Sequence, residues 1–290
     1  MDYVLKKGDA VAKVTDQGAE LYSYFDAKEY LWQGDENYWE GKSPVLFPMP
    51  GGLYNDETKI EGKSYKIPKH GFVKNQKFDV VVKNESSISL CSKSNSETLK
   101  MYPYNFELYV SHSLIDNGFK TEYRVVNTNN KAMVFCLGAH PSFNCPLNKG
   151  EHFENYNLVF EKPENTQAYY IDGPLFNFDC QMNHLKNENI IPLKYSDFDN
   201  DSYVYTNLKS NYVDLVHKKT NKGARITFRG FPVLVVWSPT KKEAPFICIE
   251  PWIGLPTTIG ESGNFEDKPY AIKLDAEKEF TIAFTVQTLV

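Results

Sequence analysis

Short runs in which apolar and polar residues alternate, paired across turns, constrain this chain more than any other feature. Phe106-Glu107-Leu108-Tyr109-Val110-Ser111-His112-Ser113-Leu114-Ile115 and Phe119-Lys120-Thr121-Glu122-Tyr123-Arg124-Val125-Val126 flank Asp116-Asn117-Gly118. A period near two puts successive side chains on opposite faces of a strand, and Asn-Gly supplies the positive φ of a tight turn. The same grammar joins Phe78–Val82 to Ser87–Cys91 across Lys83-Asn84-Glu85-Ser86, and Tyr212–His217 to Ala224–Phe228 across Thr220-Asn221-Lys222-Gly223. No helical period is sustained anywhere. With 19 Tyr and 19 Phe, which suit broad pleated surfaces, the expectation is an all-β fold of antiparallel strands.

Length does not decide the number of domains, since 290 residues is within reach of one large sandwich. No Pro/Ser linker, composition break or repeat cuts the chain, so residues 1–290 are expected to form a single domain. The Asn-rich stretch Pro163–Lys194 is expected to be a long loop or insertion. A formal charge of -5 offers nothing attractive to a phosphate backbone, so no nucleic-acid partner is expected. The N-terminus lacks an apolar signal core, and no stretch is long enough to span a bilayer, so a cytoplasmic protein away from membranes is expected. Cys91, Cys136, Cys145, Cys180 and Cys248 are scattered, odd in number and contain no C-x-x-C pair, which supports neither a disulfide framework nor a zinc site. Edge strands leave room for a homodimer.

Several apparent motifs fail on spacing. Gly41-Lys42-Ser43 and Gly62-Lys63-Ser64 end like phosphate-binding loops, yet Glu36 and Glu57 stand where the first glycine is required. Asp197-x-Asp199-x-Asp201 begins like a calcium loop, but Ser202 and Leu208 occupy the turn-glycine and bidentate-glutamate positions. His112, His152, His184 and His217 read as strand or loop histidines.

Three segments place titratable groups among residues that read as buried. Ile247-Cys248-Ile249-Glu250-Pro251-Trp252 and Phe135-Cys136-Leu137-Gly138-Ala139-His140-Pro141 each carry an apolar run into a titratable residue and then proline, which is expected to stop the ladder there. In the third, His70 precedes Gly71, a position that permits close backbone approach. A carboxylate that accepts a proton and an imidazole that donates one near neutral pH make an acid/base pair if tertiary structure brings them together.

The order His70-Gly71-Phe72, then Gly138-Ala139-His140-Pro141-Ser142-Phe143-Asn144, then Ile247-Cys248-Ile249-Glu250-Pro251-Trp252-Ile253-Gly254-Leu255-Pro256 resembles the aldose 1-epimerase (galactose mutarotase) family, and more closely its LacX-like branch. The match spans most of the chain. It implies the galactose mutarotase-like β-supersandwich of antiparallel strands and a cofactor-independent isomerase that interconverts the anomers of a monosaccharide, with no metal. It casts Glu250 as the base at the anomeric hydroxyl, His140 as the acid at the ring oxygen, and His70 as a hydrogen-bonding group beside them. Asp201, with Asp199 as the alternative, matches the family's hydroxyl-gripping aspartate, and Trp237 and Trp252 offer flat faces for sugar C–H groups or belong to the core.

Two departures stand out. Gly52 occupies a position where relatives carry arginine, and Lys74, kept as a candidate binding residue, replaces the arginine of an H-G-F-A-R pattern. Lysine cannot reproduce the planar bidentate fork. The chain's three arginines, Arg124, Arg225 and Arg229, lie in strand-like or turn contexts, which favours a neutral hexose over a sugar phosphate. The competing expectations are a sugar-sensing protein on the same scaffold, a hexose-phosphate mutarotase, and a glycosidase or lyase using Asp201 with Glu250.

Overall fold

The computed structural model describes residues 1–172 and 175–290. Its strands run antiparallel, except where Leu175 and Phe176 pair in parallel with Thr257 and Thr258. The four residues Thr98–Met101 form the one α-helix among the described residues. A 16-stranded hydrogen-bonded sheet dominates. At one end, Val45–Leu46, Leu137–Ala139, Phe246–Ile253, Val233–Trp237 and Tyr203–Thr206 lie side by side. At the other, Glu279–Leu289, Gly118–Asn127, Phe106–Ile115, Ser87–Lys93 and Asp79–Lys83 follow in order. A separate four-stranded sheet begins with Asp2–Lys7 and Ala10–Thr15, and its Leu5, Ala12 and Val14 share one core with Leu108 and Val110 of the large sheet.

The hairpin of Phe106–Ile115 with Gly118–Asn127 forms as the alternation predicts, from Ile115 opposite Gly118 to Phe106 opposite Asn127. The glycine has a different task from the expected one. Asn117 supplies the positive φ, at 57°, whereas Gly118 is a strand residue at which a Cβ would lie 1.9 Å from the Val286 carbonyl oxygen. Gly223 repeats this, with Asn221 at φ 57° and a Cβ that would meet the Leu215 oxygen at 1.9 Å.

The expected loop across Pro163–Lys194 is instead a long hairpin, Tyr156–Asp172 with Leu175–Pro192. Register shifts at Val159/Glu164, Glu164/Asn165, Thr166/Gln167 and Tyr169/Ile171 break the two-residue period, so alternation vanishes while pairing persists. Glu164 shows how such a strand tolerates charge: it is buried and accepts hydrogen bonds from Ser210 N (2.7 Å), Ser210 Oγ (2.6 Å) and Lys209 N (3.0 Å).

His112 ties the two sheets together. Its Nε2 bonds the Ala19 carbonyl at 2.9 Å, and its Nδ1 faces Thr121 Oγ1 at 2.9 Å. The carbonyl can only accept, so Nε2 carries the proton in the neutral ring. Burial holds its pKa down to about 4, below the usual 6.5, so the unfolded chain binds a proton here that the folded one does not. The resulting stability is complete above pH 6.5 and is lost as the pH falls towards 4. In His112→Gln the slope of unfolding free energy against pH in that window is expected to become shallower by about 1.4 kcal/mol per pH unit. Urea titrations at several pH values measure it, and an unchanged slope would remove the assignment.

Candidate active site

The site is built at a deliberate gap in the sheet. Phe246–Ile253 is buried along all eight residues. On one side Val233–Trp237 pairs with it, with Val235 opposite Glu250. On the other side the neighbouring strand is broken in two, Leu137–Ala139 and Ser142–Asn144. Gly138 is opposite Trp252 before the break and Ser142 opposite Cys248 after it, so the register is unchanged and sets His140 across from Glu250.

Proline acts differently here from the sequence expectation. Pro141 does interrupt its strand, but Pro251 does not end the Glu250 strand, which continues through Pro251, opposite Leu234, to Ile253. Each proline lacks an N–H. Together they thin the ladder where the two titratable side chains need room, leaving a bond from Ile249 N to the Pro141 carbonyl at 3.2 Å.

His140 Nε2 lies 3.3 Å from Glu250 Oε1 with both side chains buried. The other carboxyl oxygen, Oε2, accepts from the Trp252 indole N–H at 3.1 Å, which fixes the carboxyl plane. Trp39 stacks on the His140 ring at 4.9 Å, and Trp237 meets it edge-on at 5.9 Å. Desolvation acts on the pair in opposite senses: burial holds His140 down to about 3 and lifts Glu250 well above the ordinary carboxyl value of 4.5. An imidazolium so placed is a stronger acid than a free one, and the carboxylate a stronger base.

His70 completes one wall from a loop. Its φ of 65° and the 71° of Gly71 turn the chain back on Pro48–Gly51. His70 N donates to the Gly51 carbonyl at 2.7 Å, and Gly51 N donates to His70 Nδ1 at 3.0 Å. Because Nδ1 accepts, the neutral ring carries its proton on Nε2, free to donate elsewhere. Burial, followed by the neighbouring His140, holds His70 well below 6.5, which keeps that form at neutral pH.

These groups line a cavity of about 760 Å³. All seven candidates from the sequence, Glu250, His140, His70, Asp201, Trp237, Lys74 and Trp252, border it, and Asp199 does not. Trp252 is both wall and orienting donor. Lys74 donates to the Lys69 carbonyl at 2.9 Å, and its pKa is lowered by burial and then by Lys69. Both lysines border the cavity beside the acidic Glu20, Asp56 and Asp201, and no arginine does. Arg124 and Arg225 are engaged with Glu279 and Asp214, so neither replaces the guanidinium missing at Gly52.

Trp39 and Ser202 were not singled out in the sequence. Ser202 Oγ is buried without a protein partner and borders the cavity beside Asp201. For Trp39 the available signal was Gly41: a Cβ there would lie 2.3 Å from Trp39 Cζ2, so the glycine gives the indole its space. His140, Cys248 and Glu250 also offer ligand atoms within 4.8 Å of one another, the one such group among the described residues. Burial pushes the Cys248 thiol well above 9, which disfavours the thiolate a soft metal would bind.

The aldose 1-epimerase family model matches residues 1–285. The chain belongs to the aldose 1-epimerase family. It is 39% identical over 265 residues to the plasmid-encoded protein LacX of Lactococcus lactis subsp. lactis, a match covering 88% of each chain. Its structure is similar to that of a galactose mutarotase related enzyme from Lactobacillus acidophilus, with a TM-score of 0.94, 30% identity, and coverage of 100% of this chain and 98% of the other. A galactose mutarotase-like protein from Lactobacillus casei gives a TM-score of 0.91 at 30% identity, with both chains fully covered. The fold is therefore the galactose mutarotase-like β-sandwich, and family and fold together support an isomerase of the mutarotase type. No helix among the described residues is long and apolar enough to cross a membrane.

Proposed function

We propose that this aldose 1-epimerase family member interconverts the α and β anomers of a free, unphosphorylated hexose such as galactose or glucose. One observation carries the reading: a proton donor and a proton acceptor held 3.3 Å apart, one in a strand and the other in the break of its neighbour, in the wall of a sugar-sized cavity. The two oxygens that must exchange protons in mutarotation, the anomeric hydroxyl and the ring oxygen, share one carbon, so their catalysts must also be neighbours.

Glu250 takes the proton of the anomeric hydroxyl as His140 delivers one to the ring oxygen. The bond from the anomeric carbon to the ring oxygen breaks and its electron pair stays on that oxygen, while the hydroxyl oxygen becomes the aldehyde. Rotation about the bond between the first two carbons presents the other face. Closure returns both protons through the same groups, and no electron or group leaves the sugar. His70 Nε2–H is placed to bond the ring oxygen or an adjacent hydroxyl, Asp201 and Ser202 to bind hydroxyls, and the three indoles to pack against C–H faces.

Mixed charge at the cavity favours a neutral sugar. Lys69 and Lys74 share the lining with Glu20, Asp56 and Asp201, and those carboxylates oppose a phosphate that the lysines would attract. The reading extends to a cytoplasmic protein, because the five cysteines are free, which suits a reducing compartment.

Polarimetry of freshly dissolved α-galactose, α-glucose and a hexose 6-phosphate tests the proposal. Acceleration with a free hexose is the expected result, and acceleration with the phosphate alone would reassign the substrate. Tight sugar binding with no acceleration would replace the enzyme by a sensor.

A further inference from the structure

His140 borders two cavities. One is the sugar-sized cavity. The other, of about 10 Å³, is bordered by Ser43, Thr121 and His112 as well as by His140 and apolar neighbours. Two buried side-chain atoms of its lining residues have no hydrogen-bond partner within the protein: His140 Nδ1 and Ser43 Oγ. A buried polar atom without a partner costs free energy, and native proteins satisfy nearly all of them. A cavity of this size holds about one water molecule, and a buried water needs two to four polar partners.

We propose that this small cavity binds a single ordered water that links Ser43 Oγ to His140 Nδ1, making Ser43 a positioning residue for the catalytic imidazole. This rests on the reading of His140 as the acid of mutarotation. Thr121 Oγ1 supplies a third partner, since its bond to His112 Nδ1 leaves its lone pairs available. The backbone of Ser43 is already held by a bond from its N–H to Glu20 Oε1 at 2.6 Å, which fixes the hydroxyl's origin.

The chemistry fixes which way that bond runs. His140 gives the proton of Nε2, the nitrogen facing Glu250, to the ring oxygen, so the neutral ring that remains carries its proton on Nδ1. In the imidazolium Nδ1–H donates as well, so a water that accepts from it suits both forms of each turnover while directing its own protons to Ser43 Oγ and Thr121 Oγ1. An apolar wall would leave Nδ1–H without an acceptor.

The test combines a high-resolution crystal structure, ¹⁵N chemical shifts of His140, and steady-state kinetics of Ser43→Ala and Ser43→Val. The wild type is expected to show one water bonded to both atoms and a neutral His140 protonated on Nδ1. Ser43→Ala is expected to move the ring towards a tautomer mixture and lower kcat about three- to tenfold at unchanged KM, the scale of one lost hydrogen bond. Ser43→Val, which fills the site, is expected to lose more. Absence of that water in the wild type, or an unchanged tautomer and kcat in Ser43→Ala, overturns the proposal. Failure of the wild type to accelerate mutarotation counts against the sugar reading alone, and the crystal structure and ¹⁵N shifts still decide whether the water is there.

Discussion

Replacing Glu250 by glutamine is expected to lower kcat by about a hundred- to ten-thousand-fold while sugar affinity stays within a few-fold of wild type. Glutamine keeps the shape of the side chain and its amide oxygen can still accept the Trp252 indole N–H, which now bonds Oε2 at 3.1 Å, but it cannot take a proton. Saturation-transfer NMR on the anomeric protons measures the rate and calorimetry the affinity. Retention of more than half the wild-type rate would end the assignment of Glu250 as base.

The same variant separates chemistry from folding. Burial lifts the folded-state pKa of Glu250 well above 4.5, so its contribution to stability is complete below pH 4.5 and lost as the pH rises through the folded value. Glutamine never ionises. Glu250→Gln is therefore expected to be more stable than wild type at pH 8, by a margin that shrinks towards pH 4.5. An inactive protein with a raised Tm cannot owe its inactivity to misfolding.

Gly71→Ala is expected to destabilise the protein by about 3 kcal/mol or more, with sugar binding lost alongside. The added Cβ would lie 1.9 Å from the Phe47 carbonyl oxygen and 2.8 Å from Pro48 N, all rigid backbone. Relief requires parting segments held by the bond from Phe72 N to Phe47 O at 3.0 Å and by the two bonds between His70 and Gly51. Gly62 is an internal control: its φ of 76° is as left-handed as the 71° at Gly71, but nothing lies within 4 Å of the Cβ position. Gly62→Ala should cost about 1 kcal/mol, the conformational part alone. Equal urea midpoints for the two variants would show that close approach at Gly71 is not what the fold requires.

What could be read from the sequence follows from how local each signal was. The Phe106–Asn127 hairpin was legible because its period of two runs unbroken over both strands. The Tyr156–Pro192 hairpin was not, because its register shifts move residues between faces and erase that period. His140, Glu250 and His70 stood out as titratable residues beside proline or glycine within apolar runs. Their meeting did not, since it depends on a register fixed on both sides of a strand break. Pro251 misled because a proline reads as a stop only when the adjacent strand would otherwise bond to it. Trp39, more than 100 positions before the histidine it stacks on, left only Gly41 as a trace, and Ser202 drew notice only as a departure from a calcium-loop pattern.

The strand break also divides labour within the molecule. Glu250 is paired within the sheet and His140 is held between two short strands that are paired on either side of the break, whereas Gly51, Leu53, Lys69 and Lys74 reach the cavity from connecting segments. Connections accept substitutions and insertions far more readily than paired strands do. Descendants of such a chain can therefore exchange one sugar for another by rewriting its loops, with the proton-transfer apparatus inherited intact.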